Sequence, residues 1–128
     1  VQPLAEINLR DNDGEMFVRI GNNGVGPLIV DKVVFTKGNK QFEHIQDCLD
    51  IDPRDYFHLD VNNTNKKVII SGGFLELFSN TLNPKESAEK IEMFQKQLSV
   101  LRLKVHGHDI YNNKISIEKS LSWFARHH

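Results

Sequence analysis

Residues 4–10 read LAEINLR and residues 15–20 read EMFVRI, with Asp11-Asn12-Asp13-Gly14 between them. Apolar and polar side chains alternate in both segments, which is the pattern of a strand with one buried face. Asp-Gly supplies the positive φ that a tight turn needs. The pattern therefore predicts an antiparallel hairpin at the start of the chain.

A second turn and a third strand follow this hairpin. Gly21-Asn22-Asn23-Gly24-Val25-Gly26-Pro27 is rich in residues that tolerate left-handed backbone, and the β-branched segment 28–36 follows it up to Lys37-Gly38. We expect this turn to be structural rather than a binding loop. Gly24 and Gly26 would adopt conformations closed to other residues, and Pro27 would fix the exit.

Two segments have helical periodicity. In the first, Phe42, Ile45 and Leu49 share one face and Asn39 is placed as an N-cap, which predicts a short helix ending before Asp52-Pro53. The second starts at Asn83-Pro84-Lys85-Glu86, and its apolar face is formed by Ala88, Ile91, Phe94 or Gln95, and Leu98.

The remaining strand candidates complete an all-β pattern. They are the segments 56–61 and 67–71 around the polar turn 62–65, then 74–78, 100–105 and 114–123. Strands this short, joined by tight turns, favour a mostly-β fold: an immunoglobulin-like antiparallel β-sandwich with two short helical insertions. The alternative is an α+β sheet with its helices on one face.

Length and charge narrow the functional classes. The chain has 128 residues, a net charge of −1, and 16 Lys and Arg against 17 Asp and Glu. We expect one domain over residues 1–126, with His127-His128 as a possible remnant of a purification tag. The balanced charge argues against a nucleic-acid partner. No apolar run approaches the ~20 residues that span a bilayer, and because the chain starts at Val1, any N-terminal anchor would lie upstream.

The segment His106-Gly107-His108-Asp109 is the one that suggests metal chemistry. In a strand, His106 and His108 share a face and could chelate zinc or copper, with Asp109 and with His44 or His58 as further ligands. A strand end that leads into a turn explains the same residues, and we favour it. We assign no metal site and no cofactor, and keep a metal-binding protein or metal-assisted hydrolase as the alternative function.

Other catalytic patterns are incomplete. Gly24-x-Gly26 lacks the third glycine of a dinucleotide fingerprint, and Ser71-Gly72-Gly73 lacks a nucleophile elbow. The carboxylates between residues 47 and 55 have the pattern of a solvated rim, and Cys48 lies on the apolar side of its segment, where a buried and inert thiol is expected. We therefore predict no catalytic residue and a protein that is not an enzyme.

Three segments resemble a loose group of bacterial extracytoplasmic domains with an immunoglobulin- or fibronectin-type β-sandwich. They are residues 3–9, residues 20–30 with their Asn-Gly-Gly-Pro turn, and residues 108–113 leading to Leu121-Ser122-Trp123-Phe124. Leu82-Asn83-Pro84-Lys85-Glu86 is similar to the turn Leu-x-Pro-Gly-Glu of these domains, with Lys85 in place of glycine. Such domains usually follow an N-terminal membrane helix.

The resemblance implies a cellular location but no particular reaction. The protein would be anchored outside the cytoplasmic membrane of a bacterium by a missing N-terminal segment. It would bind a protein partner, or sense a ligand, for a membrane-linked system. A further possibility is a structural module that binds its partner by strand addition at an exposed sheet edge.

Overall fold

The computed structural model describes residues 2–12, 15–62, 64–81 and 88–125. Within these ranges the strands are β1 (Ala5–Asn12), β2 (Glu15–Asn22), β3 (Leu28–Lys37), β4 (Lys40–Phe42), β5 (Phe57–His58), β6 (Lys67–Ile69), β7 (Phe74–Thr81), β8 (Leu101–His108) and β9 (Lys114–Ser120). The α-helix is α1 (Ala88–Ser99), and three 3-10 helices span Ile45–Asp47, Pro53–Asp55 and Leu121–Ala125.

The strands form two antiparallel sheets. Sheet A has the order β1-β2-β7-β5, and sheet B has the order β4-β3-β8-β9, with β6 also paired to β3. In immunoglobulin nomenclature β1, β2, β7 and β5 correspond to strands A, B, E and D, and β3, β8 and β9 correspond to strands C, F and G. The two sheets thus have the strand orders A-B-E-D and C-F-G of an immunoglobulin sandwich. The prediction of a mostly-β sandwich is confirmed, and the α+β alternative does not describe these sheets.

Alternating side chains build the core between the sheets. On β2 the inward residues Met16, Val18 and Ile20 are at most 1% exposed, and on β8 the residues Leu101 and Leu103 are buried in the same way. The predicted hairpin is confirmed, since Ala5 pairs with Asn22 and Asn12 pairs with Glu15. Residues 13 and 14 of its turn lie outside the described residues.

A β-bulge interrupts the alternation of β3. The register against β8 shifts between Val30 and Lys32, and the buried positions change from Leu28 and Val30 to Val33 and Phe35. The extra residue is Asp31, which therefore stands beside Lys32 on the outer face of sheet B. A bulge of this kind redirects side chains at one point of a strand.

The predicted first helix, with Asn39 as its N-cap and its end before Asp52-Pro53, is wrong. Lys40–Phe42 forms strand β4, in which Phe42 pairs with Phe35, and Gly38 supplies the left-handed turn of this hairpin with φ +61°. Only Ile45–Asp47 is helical, as a 3-10 turn. The apolar spacing indicated burial correctly, because Ile45 and Leu49 lie in the core, but a 3-10 turn with a loop also places them there.

The predicted strands 56–61 and 67–71 do not pair with each other. Strand β5 pairs with β7 in sheet A, whereas β6 pairs with β3 in sheet B, so the chain crosses between the sheets here. The closing strand β9 ends at Ser120 and not at Trp123. A 3-10 helix follows it and buries Phe124.

The second predicted helix is present as α1, and its proposed start at residues 83–86 lies outside the described residues. Helix α1 connects the end of β7 to the start of β8 and packs against the 3-10 helix Leu121–Ala125. Its Phe94 ring contacts Phe78 at 5.8 Å and Tyr56 at 6.1 Å between ring centroids. We call this covered end of the sandwich the helix end. In the described ranges, no helix has both the length and the apolar character needed to cross a bilayer.

Candidate functional site

The opposite end of the sandwich is formed by loops, and we call it the loop end. It comprises the chain start at residues 2–4 and the loops 22–27, 70–73 and 109–113. Strand register places them together, because Leu28 pairs with Ile69 and Ile29 pairs with His108. The loops that leave these paired residues therefore emerge side by side.

Asn22 holds the loop end together from inside. Its side chain is fully buried, and its Oδ1 accepts hydrogen bonds from the backbone N–H groups of Leu4 and Gly24, each at 3.1 Å. Its Nδ2 donates to the carbonyl oxygens of Gly26 at 2.9 Å and Ile69 at 3.0 Å. One side chain thus joins the chain start, the loop 22–27 and the end of β6.

Further hydrogen bonds join the same loops. The backbone of Asn22 donates to the Gly73 carbonyl at 3.0 Å and accepts from the Gly72 N–H at 2.7 Å. The Ser71 hydroxyl donates to the Gly24 carbonyl at 2.6 Å. Because the loops are tied to one another, they present a preformed surface rather than separate flexible segments.

The two glycines of the loop 22–27 are required for different reasons. Gly26 has φ +99°, as the turn prediction requires. Gly24 does not have a positive φ; instead, a Cβ atom there would lie 2.3 Å from the Leu4 nitrogen and 2.4 Å from the Gln2 oxygen. Gly24 is therefore needed because two backbone segments approach closely, which corrects the expectation from turn chemistry alone.

Asp109 organises the loop 109–113. Its Oδ1 accepts from the N–H groups of Tyr111 at 2.9 Å and Asn113 at 2.8 Å, and its Oδ2 accepts from Asn113 Nδ2 at 2.9 Å. The hydrogen bonds from Asn113 and Tyr111 hold the pKa of this carboxyl below its usual range. Both carboxylate oxygens of Asp109 therefore accept hydrogen bonds within the turn. This geometry fits the interpretation of residues 106–109 as a strand end that leads into a turn.

The loop end displays apolar side chains to solvent. Val25 is 65% exposed, Ile70 is 70% exposed and Tyr111 is 69% exposed, and each belongs to a different loop. Leu4 and Ile110 are also more than half exposed. Single exposed apolar residues are ordinary, but a group of them from several loops at one end marks a contact surface.

The candidate ligands His106 and His108 lie beside the loop end, on the outer face of sheet B. There they line a cleft of about 470 Å³ together with Asp31, Lys32, Lys66, Gly107, Asn112, Lys114, Ile115 and Ser116. His108 Nδ1 lies 2.8 Å from Asp31 Oδ2, and Lys66 Nζ lies 3.2 Å from Asp31 Oδ1. The bulge in β3 is what brings the Asp31 carboxylate to this face.

Two pKa shifts describe the electrostatics of the cleft. Burial alone would raise the pKa of Asp31, but the hydrogen bonds from His108 and Lys66 hold it below its ordinary value. Burial lowers the pKa of His106, and the positive charges of Lys32 and Lys104 lower it further. The field around His106 is therefore positive despite the nearby Asp31.

The predicted metal ligands are only partly brought together. His106 and His108 share a face as expected, whereas Asp109 is turned into its loop. His44 Nδ1 lies 3.0 Å from Asp60 Oδ1, and His58 lies on strand β5 of sheet A. Neither histidine lines the cleft. The described part of the chain contains no group of three or more His, Cys, Asp or Glu residues that could hold a metal ion.

Sequence reasoning missed the lysines of the cleft and Asp31. A signal for Asp31 exists, because the apolar spacing of β3 changes at this residue and reveals the bulge. The lysines carry no such signal, since Lys32, Lys66 and Lys114 come from three separate segments. The prediction that Cys48 is buried is confirmed. Burial raises the pKa of its thiol to about 11.

Comparison of the chain with protein-family models, with curated proteins and with solved structures gives no match.

Proposed function

We propose that this chain is a non-enzymatic interaction domain that binds a protein partner through the loop end. The observation that supports the proposal is the exposure of Val25, Ile70 and Tyr111 on three loops at this end. The buried Asn22 joins the first two of these loops, and Asp109 orders the third. Exposing several large apolar side chains costs free energy that covering them would recover, at roughly 25 cal/mol for each Å² removed from water.

The preformed state of the loops strengthens this argument. A partner that binds them does not have to order them. The Asn22 amide donates a hydrogen bond to Gly26, and the Asp109 carboxylate accepts one from Asn113, so these backbones are already fixed. Avoiding this entropy cost raises the affinity that a given contact area provides. Tyr111 adds a large amphipathic side chain of the type that is enriched at the energetic centres of interfaces.

The contrast with the helix end supports the choice of surface. There, the large apolar side chains Phe94, Leu98 and Phe124 are fully buried beneath or within the helices. At the loop end the described residues provide no comparable cover. The partner would supply that cover.

We also propose a cellular location for the protein. We propose that the protein lies outside the cytoplasmic membrane of a bacterium, where an N-terminal anchor would link it to a membrane system. The resemblance of the turn segments to immunoglobulin- or fibronectin-type extracytoplasmic domains supports this proposal. The role we propose there is recognition, either of a protein partner or of a ligand sensed for that system. This location can be tested in cells that produce the full-length gene product, by fractionation followed by protease treatment of spheroplasts. A cytosolic location would contradict the proposal.

A crosslinking experiment tests the binding surface. A photoreactive amino acid replaces Tyr111 in one variant and Val100 in the control; Val100 is 55% exposed but lies at the helix end. We expect a crosslinked protein in cells of the source organism from position 111 only. That protein is then purified, and its affinity for the wild-type chain is compared with its affinity for Ile70→Ser and Val100→Ser.

The expected result is a loss of at least about tenfold in affinity for Ile70→Ser, equal to about 1.4 kcal/mol, and no change for Val100→Ser. Equal crosslinking from both positions, or equal affinity of both serine variants, would refute the loop end as the binding surface.

A further inference from the structure

The cleft beside the loop end has a feature that a protein-binding surface does not need, which is an excess of positive charge. Among its described lining residues, Lys32, Lys66 and Lys114 face a single carboxylate, that of Asp31. Leaving the histidines out of the sum, three lysines and one aspartate give the lining a net charge of +2. The whole chain, by contrast, has a net charge of −1.

Most of this charge is not neutralised within the protein. Asp31 pairs with Lys66 and His108. Within the described ranges, Lys32 and Lys114 have no carboxylate within ion-pair distance. They therefore remain available to an anion from solution.

Strand register shows how donors are distributed over the cleft. Lys32, His106 and Ser116 form one row across the three strands, and His108 lies opposite Lys114 in the next row. Side chains in such directly opposed positions have Cβ atoms about 5 Å apart. The Lys32 and Lys114 ammonium groups and the Ser116 hydroxyl can donate hydrogen bonds to an anion, so donors lie in both rows.

We propose that this cleft binds a small multivalent oxyanion, of the phosphate or polycarboxylate class, between Lys32 on β3 and Lys114 on β9. A volume of about 470 Å³ lies within the range of small-molecule sites, roughly 300–1,000 Å³. The lysines repel a metal cation, which distinguishes this site from the metal centre that the two histidines suggest by themselves. The proposal is independent of the partner at the loop end.

Titration with inorganic phosphate, and separately with citrate, tests the site. The histidine ring protons are followed by NMR at about pH 7 and low ionic strength, where surface charges are least screened. We expect saturable shifts of the His106 and His108 signals, with a Kd of about 1 mM or tighter. A parallel titration with zinc chloride tests the cation alternative.

Three variants locate the binding charge. Lys114→Gln should weaken phosphate binding about tenfold, whereas Lys40→Gln removes the same charge on the exposed strand β4, outside the cleft, and should change the Kd by less than about twofold. Asp31→Asn should tighten binding about threefold or more, because it removes the carboxylate that competes for Lys66 and His108.

Three results would overturn the proposal. The first is equal weakening by Lys114→Gln and Lys40→Gln, which would show a general charge effect without a site. The second is the absence of saturable histidine shifts up to about 50 mM anion, a concentration well above the expected Kd. The third is weaker anion binding by Asp31→Asn together with tight zinc binding by the wild-type chain.

Discussion

Replacing Asn22 by alanine removes the side chain that joins three segments of the loop end. The mutation deletes four hydrogen bonds, to the N–H groups of Leu4 and Gly24 and to the carbonyl groups of Gly26 and Ile69. The Ile69 bond lies in fully buried surroundings, where an unsatisfied carbonyl costs about 1–3 kcal/mol. The other three lie in partly buried surroundings and contribute about 0.5–1 kcal/mol each.

The sum is a loss of about 4 kcal/mol in the free energy of unfolding, a large part of the roughly 5–15 kcal/mol typical of a domain. Urea unfolding followed by circular dichroism measures it, with Asn23→Ala as the control. Asn23 is exposed, and within the described ranges its side chain donates one hydrogen bond, to Glu6 Oε2 at 2.5 Å. Replacing Asn23 by alanine should therefore cost less than about 0.5 kcal/mol.

Asn22→Asp separates the donor half of this interaction from the acceptor half. It keeps an oxygen for Leu4 and Gly24 but loses the amide that donates to Gly26 and Ile69, and it buries a carboxylate against two carbonyl groups. We expect it to be at least as destabilising as Asn22→Ala. A loss below about 1 kcal/mol for Asn22→Ala would refute the reasoning, because it would show that the loop end does not depend on this side chain.

Three further predictions test separate parts of the structure. Gly24→Ala should cost about 3 kcal/mol of stability in the same urea assay, because its Cβ would lie within 2.6 Å of three backbone atoms of residues 2–4; a cost below about 1 kcal/mol would contradict the close approach. The Cys48 thiol, with its pKa raised from 9.0 to about 11, should react with Ellman's reagent at least about 100-fold more slowly in the folded protein than in urea, and equal rates would show that it is accessible. His106 has a pKa below 6.5 in the folded state, so the unfolded state binds its proton more readily and stability should fall as the pH drops below about 6.5. In His106→Gln, urea midpoints measured between about pH 7.5 and 5.5 should fall less steeply; an unchanged slope would show that His106 is not responsible.

Local patterns predicted the elements that depend on nearby residues. The hairpin of β1 and β2 could be predicted because alternation and an Asp-Gly turn act over about 16 residues. The apolar face of α1 was predicted in the same way, and Phe94 and Leu98 are buried as expected. Helical periodicity failed at Phe42, Ile45 and Leu49, because apolar spacing indicates burial but does not distinguish an α-helix from a 3-10 turn with a loop.

In the candidate site, too, the features that could be predicted are those that depend on residues close in sequence. The shared face of His106 and His108 follows from their spacing of two in a strand. The role of Asp109 as a turn residue rather than a ligand also has a local cause, since its partners Tyr111 and Asn113 are two and four residues away.

Which segments alternate, where the first hairpin turns and which faces become apolar depend on neighbours along the chain, so these features can be predicted from the sequence alone. Long-range packing places β5 and β6 in different sheets. It also brings Asp31 to His108, 77 residues away, and Asn22 to Ile69, 47 residues away. Pairings over such distances are selected by the packing of the whole core and not by local preference. The loop end and the positive cleft exist only because that packing brings their separate segments together.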